Sequence, residues 1–318
     1  MRSEVRRLPE PFLNRLRKII PPQKWDPVAN TFTEPKPTTF RVNSLKCTAK
    51  EAEAVLSREG FQLQNVSWHP HAFIVRKGRL RELEQTEIYR TGGIYVQSLS
   101  SMIPPIVLSP KPQETVLDLT AAPGGKTTQM TCLMGNQGRI VANESNRIRY
   151  EKLLANLKLQ QAEIVEPLLG YGESLGRKCP GHFDRVLLDA PCSTEGQFET
   201  SRPATYRHWR LEGICEMAKQ QKKLLRSAFL ALKPGGALVY STCTFAPEEN
   251  EGVLSDFLDQ LGGAAEMEKI RLPLSHQMPG LASWEGKKYH PDVRQAVRIL
   301  PTQEMEGFFV AMLRKKGK

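Results

Sequence analysis

The stretch Thr115 to Thr128, TVLDLTAAPGGKTT, limits the possible folds more than any other part of the chain. Val116, Leu117 and Leu119 form a short apolar run that reads as a buried strand, interrupted by Asp118. Pro123-Gly124-Gly125 turns the chain, and Lys126 onward reads as the start of a helix. A strand that passes through a glycine-rich turn into a helix leaves backbone amides and a helix N-terminus free to hold polar groups. An α/β fold is expected, with its site at the carboxyl ends of the strands.

Three cofactor readings compete for the turn, beside a plain structural turn with no ligand. A phosphate-binding loop needs G-x-x-x-x-G-K-[ST]. Gly125-Lys126-Thr127 fits the end of that pattern, but Thr120 stands where its first glycine belongs. A dinucleotide fingerprint needs G-x-G-x-x-G, and the glycines here are adjacent. The third reading is S-adenosylmethionine, whose sulfonium carries no phosphate to clamp. It needs close backbone approach, an acid near the methionine amine and a second acid for the ribose hydroxyls. Asp118 supplies the first acid and Glu144, at the end of the next strand, the second. The alternative for Glu144 is a helix-start acid favoured by the dipole.

Two later stretches weigh on this choice. Residues 183 to 198 read FDRVLLDAPCSTEGQF, and residues 235 to 251 read GGALVYSTCTFAPEENE. Each is an apolar strand pattern ending in a polar turn with a cysteine, where substrate chemistry is expected in an open α/β sheet. The AAPGGKT, DAPCS and STCT…EEN segments, in that order and spacing, resemble the RNA cytosine-5 methyltransferases of the RsmB/NOP (NSUN) family. The resemblance runs from about Phe40 to near the C-terminus. It implies a Rossmann-like class I S-adenosylmethionine-dependent methyltransferase domain with a small N-terminal α/β RNA-binding domain. Two positions depart from the family: Thr120 stands where many members have Cys, and Tyr171 where a typical member has an Asp near the adenine. Tyr171 offers stacking or a hydrogen bond in place of that acid, and it stays outside the expected site.

Composition bears mainly on the partner. With 45 basic against 34 acidic side chains the formal net charge is +11. Such a balance suits a polyanionic partner bound in a salt-dependent way. No run of 18 apolar residues exists and the N-terminus has no long apolar core, so neither a membrane span nor a signal peptide is expected. The six cysteines are scattered without a C-x-x-C pair, so neither a metal site nor a disulfide framework is indicated. A reducing cytoplasm and a monomer are expected.

Along the chain, Met1 to Arg7 is basic and Pro9 to Ile20 has apolar residues at helical spacing, ended by Pro21-Pro22. Thr38 to Leu45 predicts a strand. Arg41 in it is read as positioning RNA or the core, with a surface salt bridge as the alternative. Thr48 and Glu51 predict a capping box for a helix to Glu59. Phe61 to Trp68 and Ala72 to Arg76 read as strands with His69-Pro70-His71 as a loop between them. These pieces make an accessory domain over residues 1–90, with Arg58, Arg76, Lys77, Arg79, Arg81 and Arg90 suited to phosphate contacts. The catalytic domain is expected over 91–318. It opens with a segment bearing Gln97, Ser100 and Ser101, which the resemblance reads as a helix beside the cofactor. Lys233-Pro234-Gly235-Gly236 predicts a tight turn into a strand. The loop 201–208, with Arg202, Arg207 and His208 ahead of Trp209, suits an RNA strand.

Carbon 5 of cytosine is a poor nucleophile until a thiolate adds to carbon 6. The reaction therefore needs a reactive cysteine, a polarising acid and a proton acceptor. Spacing does not say which cysteine attacks. The resemblance implies Cys243 as nucleophile, Cys192 in product release, Asp189 bonded to the target cytosine and Lys126 beside it. It also implies a cofactor site of Thr120, Ala121, Ala122, Pro123, Gly124, Gly125, Lys126, Glu144, Arg149 and Asp189. Cys47, Cys132, Cys179 and Cys215 lack this context and are read as structural. The target base must be single-stranded or flipped out. Ribosomal RNA is expected ahead of transfer RNA. Two rival readings are a non-catalytic RNA-binding or ribosome assembly factor with a remnant methyltransferase fold, and a DNA methyltransferase. The cysteine pair with Asp189 argues against the first, and the STCT cysteine with the small N-terminal domain argues against the second.

Overall fold

The structure is a computed structural model that describes residues 5 and 7–317. The basic run Met1 to Arg7 therefore lies largely outside the described residues. The chain divides into two compact units, and it passes between them several times.

One unit comprises residues 37–189, 224–240 and 312–318. It opens with a four-stranded antiparallel sheet in the order Gln62–Val66, His69–Lys77, Thr39–Val42, Ile94–Val96. The helix Ala49–Arg58 begins at the expected capping box: Thr48 Oγ1 accepts the Glu51 N–H and Glu51 returns a bond to the Thr48 N–H. Phe40, Leu56, Phe73 and Ile94 are among the residues that fill its core. The His69-Pro70-His71 segment is strand here, not loop, and the turn falls earlier. The ladder to the central strand Thr39–Val42 starts only at Ala72, so Pro70 has no hydrogen bond to that strand to interrupt.

Four parallel strands follow, with Val165–Leu169, Arg139–Glu144, Thr115–Asp118 and Phe183–Asp189 side by side. Val116, Leu117, Val186, Leu187 and Leu188 are buried, as a sheet covered on both faces requires. Between the strands lie the helices Gly125–Leu133, Arg147–Gln160 and Gly172–Lys178. Asn146 caps the second by accepting the Arg149 N–H at 3.0 Å, and Gln161 at φ 54° ends it. The predicted tight turn at residues 233–236 is absorbed into one long strand, Leu232–Thr242, which Gly235 bends at φ 79°.

The other unit comprises residues 1–36, 190–223 and 241–311. The expected boundary at residue 90 and this grouping divide the chain differently. Phe12, on the helix Glu10–Ile19, packs edge-on to Phe198 at 4.8 Å and to Trp209 at 6.0 Å between ring centroids. Leu16, Phe32, Phe245 and Leu300 belong to the same core. The buried Arg298 guanidinium donates to Glu251 Oε1 at 2.6 Å and to the Phe245 carbonyl at 2.9 Å. Each charge there is satisfied, as burial demands.

Candidate active site

The cofactor stretch folds as its residues imply. The strand ends at Asp118, Gly124 takes φ 109° and the helix starts at Gly125. A side chain at Gly124 would strain that φ, and a Cβ at Gly125 would come within 3.0 Å of the Tyr95 ring. Two small residues thus let the backbone close around a cavity of about 310 Å³. Thr120, Ala121, Ala122, Pro123, Gly125, Lys126, Arg149 and Asp189 line it, together with Asp118. Tyr95, Val96, Gln97, Ser98 and Ser101 line the opposite side. Tyr95 and Val96 end a short strand, Gln97 and Ser98 follow it, and Ser101 lies on the 3-10 turn Ser100–Met102 that leads into the helix Ile103–Leu108.

Charge is arranged unevenly around this cavity. Asp118 is fully buried, and burial pushes its carboxyl up to about 6 despite the 2.7 Å bond from Thr127 Oγ1. Lys126 Nζ bonds Asp189 Oδ2 at 2.7 Å and Ser101 Oγ at 2.6 Å. Thr120 Oγ1 donates to the Asp189 carbonyl at 2.8 Å. Glu144 ends its strand with a nearly buried side chain, and its Oε1 accepts the Ser145 and Asn146 N–H groups. Arg149 reaches from its helix to the Ala122 carbonyl at 2.6 Å and lies 3.6 Å from Glu144. Tyr171 is 77 % exposed and does not line this cavity.

Arg41 departs from the surface salt bridge reading. It is buried with no carboxylate at hydrogen-bond distance. Its Nε donates to Gln97 Oε1 at 2.9 Å, and a terminal nitrogen donates to the Gly125 carbonyl at 3.2 Å and to Thr128. Its partners place it behind the cofactor turn. Cys132 accepts a weak bond from it at 3.8 Å.

A separate cluster of candidate residues lies within the other unit. Cys192 Sγ and Cys243 Sγ lie 3.4 Å apart, one on each of the two polar turns. Side chains brace the turns to one another. Ser193 Oγ bonds Thr244 Oγ1 at 2.7 Å, and the Gly196 N–H donates to the Cys243 carbonyl at 2.8 Å. Buried Glu195 accepts from Thr244 Oγ1, the Phe245 N–H and Trp209 Nε1 at 3.0, 3.1 and 2.9 Å. Asn250 holds the Cys243 turn, accepting from Thr242 Oγ1 and donating to the Thr244 carbonyl. Gln197 Nε2 approaches the Cys243 sulfur to 3.6 Å. Sequence reading missed Glu195 and Gln197. Both lie in the quoted DAPCSTEGQF stretch, but nothing in their spacing signals that they meet the STCT turn.

The cysteine environments differ. Cys192's thiol is pushed well above the ordinary range, first by its bond to Cys243, then by burial. The two sulfurs are at hydrogen-bond distance, and either can donate to the other. Among the described residues no group of three or more His, Cys, Asp or Glu side chains is arranged to hold a metal. No described helix is long and apolar enough to cross a membrane.

The parallel sheet, with its acid-floored cradle at the carboxyl edge, defines an S-adenosylmethionine-dependent methyltransferase fold. Comparison with known proteins gives the family. The profile for 16S rRNA methyltransferase RsmB/F matches residues 105–314, and that for the N-terminal domain of 16S rRNA methyltransferase RsmF matches residues 8–99. The chain belongs to the RsmB/F family of RNA methyltransferases. It is 42 % identical over 289 residues to the tRNA (cytosine(49)-C(5))-methyltransferase of Pyrococcus abyssi, covering 89 % of each chain. It is 37 % identical over 317 residues to ribosomal RNA small subunit methyltransferase F of Aeromonas hydrophila. That match covers 97 % of this chain and 64 % of the relative, so the chain spans under two thirds of it. A solved methyltransferase homolog protein from Pyrococcus horikoshii superposes with a TM-score of 0.80 at 33 % identity, covering 97 % of this chain and all of that one.

Proposed function

We propose that the chain methylates carbon 5 of a cytosine in RNA, with S-adenosylmethionine as methyl donor and a covalent adduct between Cys243 and carbon 6. The observation that carries this reading is the cysteine pair on its two braced turns. The sulfurs lie 3.4 Å apart, and the Gln197 amide donates toward Cys243. In this reading Cys243 is the nucleophile. Cys192 then serves product release.

The cradle residues suit the donor. The cofactor, when bound, supplies an electrophilic methyl on a cationic sulfur. Asp118 offers a carboxylate for the methionine amine, and Glu144 stands at the strand end where ribose hydroxyls are held. The cofactor turn from Thr120 to Lys126, Gly124 included, supplies the close backbone, and Arg149 steadies it at Ala122. Asp189, paired with Lys126, is three residues ahead of Cys192 on one continuous stretch. In this reading it bonds the cytosine while Lys126 neutralises the charge that develops on the ring. Exposed Arg58, Arg76, Arg79 and Arg81, within the accessory stretch 1–90, and Arg202 and Arg207 on the other unit are assigned to RNA phosphates.

The sequence reading puts ribosomal RNA ahead of transfer RNA. The higher identity to a transfer-RNA enzyme, over 89 % of both chains, favours the reverse. The test uses labelled S-adenosylmethionine with each RNA, wild type beside Cys243→Ala and Cys192→Ala. Label in 5-methylcytosine that disappears with Cys243→Ala, with a trapped protein–RNA adduct in Cys192→Ala, is the expected result. The opposite pattern would exchange the two roles. Tight RNA binding with no label under any condition would favour the non-catalytic factor.

A further inference from the structure

The chain on both sides of Cys192 is tied to one buried carboxylate–amide couple. Glu249 Oε2 accepts the Ser193 N–H at 3.0 Å and a Gln221 amide N–H at 2.8 Å. The same Gln221 nitrogen donates to the Pro191 carbonyl at 2.8 Å. Glu249 and Gln221 are both fully buried, on segments far apart in sequence. A buried carboxylate carries a large desolvation cost, which a neutral side chain of the same shape would avoid.

We infer that Glu249 is a positioning residue, which with Gln221 fixes the Pro191–Ser193 backbone and, through its charge, keeps the proton of the cysteine pair on Cys192. Four groups bear on this charge balance. Burial pushes the Glu249 carboxyl up to about 7, and the bonds from Ser193 and Gln221 work against that rise. The nearby charge of Glu195 adds to it. Glu249 in turn pushes the Cys192 thiol upward, in the same direction as Cys243 and burial.

The consequence for turnover rests on the reading of Cys243 as nucleophile, but the test does not. Alkylation of the free full-length protein by iodoacetamide is followed at each cysteine by mass spectrometry across pH. In Glu249→Gln the Cys192 labelling midpoint falls by about one pH unit, a tenfold rise in its thiolate fraction below the midpoint. The limiting rate at high pH stays the same. A higher limiting rate with an unmoved midpoint means only a loosened loop and overturns the inference, as does an unchanged profile. Glu249→Asp keeps the charge, so its midpoint stays at the wild-type value. If it shifts as Glu249→Gln does, the side chain matters by packing and the inference falls, even where Glu249→Gln does not fold. A shifted Cys192 midpoint in a protein that methylates neither RNA would keep the positioning role and discard the proposed reaction.

Discussion

The two candidate clusters, one on each unit, are built on opposite plans. The cofactor cradle is one continuous strand–turn–helix whose shape comes from small residues and backbone, with buried Asp118 at its floor. The cysteine half joins two turns from separate strands, and side chains hold it: Glu195, Asn250, Ser193 with Thr244, and the Glu249–Gln221 couple. A cradle for a flexible cofactor needs close approach and one charge contrast. A pair of sulfurs that share a proton needs fixed positions, and turns alone do not supply them. Substitutions in the first half should therefore act on binding, and those in the second on reactivity and stability.

The largest separation is expected at Asp118. Asp118→Asn keeps the shape and the Thr127 contact but removes the charge proposed to meet the methionine amine. Cofactor affinity should fall about a hundredfold, the value of a charged hydrogen bond at a buried site. Calorimetric titration of S-adenosylmethionine measures it, and the Cys243 alkylation profile should not move. pH sharpens the same point. The Asp118 carboxyl is raised to about 6 in the free protein, so its contribution to stability is full below the ordinary carboxylate range and is lost as pH rises through 6. Cofactor binding has the opposite sign, because the ammonium needs the carboxylate. Affinity should weaken about tenfold per unit below pH 6 while the free protein gains stability from this group. Affinity that is flat from pH 7 to 5 would remove Asp118 from the amine site.

Next in size is Glu195→Ala on the cysteine side. It removes the acceptor for three donors: Thr244 Oγ1, the Phe245 N–H and Trp209 Nε1. Denaturant unfolding should show a loss of about 2 kcal/mol, near the cost of leaving buried donors unpaired. Methyl transfer should drop with it, and cofactor affinity should hold. A cofactor affinity that fell in parallel would show that the two halves are not separable in this way.

How far the sequence carried the reading follows the same division. The cradle was legible because its parts are neighbours in the chain, from Val116 to Thr128. The capped helix after Thr48 was legible for the same local reason. The Lys126–Asp189 pair was not, since it depends on which strands lie side by side. Arg41 stood between a core role and a surface salt bridge, and its burial against backbone and amide oxygens favours the core. Pro70 misled by marking a loop where an unpaired strand position tolerates it. Glu249 was visible as part of EEN, but its work depends on Gln221, brought in by another helix.

The smallest effect is expected at Gln197. Its amide lies 3.6 Å from the Cys243 sulfur, a weak bond on an exposed side chain. Cys192 Sγ lies on another side at 3.4 Å. Removing the amide takes away one contact of the sulfur and leaves the other. Gln197→Ala should slow single-turnover methyl transfer about threefold, the size of a weak hydrogen bond near 0.7 kcal/mol. It should leave RNA and cofactor affinity unchanged. Gln197→Glu sharpens the result. An anion facing the sulfur should slow transfer more than the alanine does. If alanine and glutamate behave alike, the amide donates nothing to the sulfur that matters for transfer.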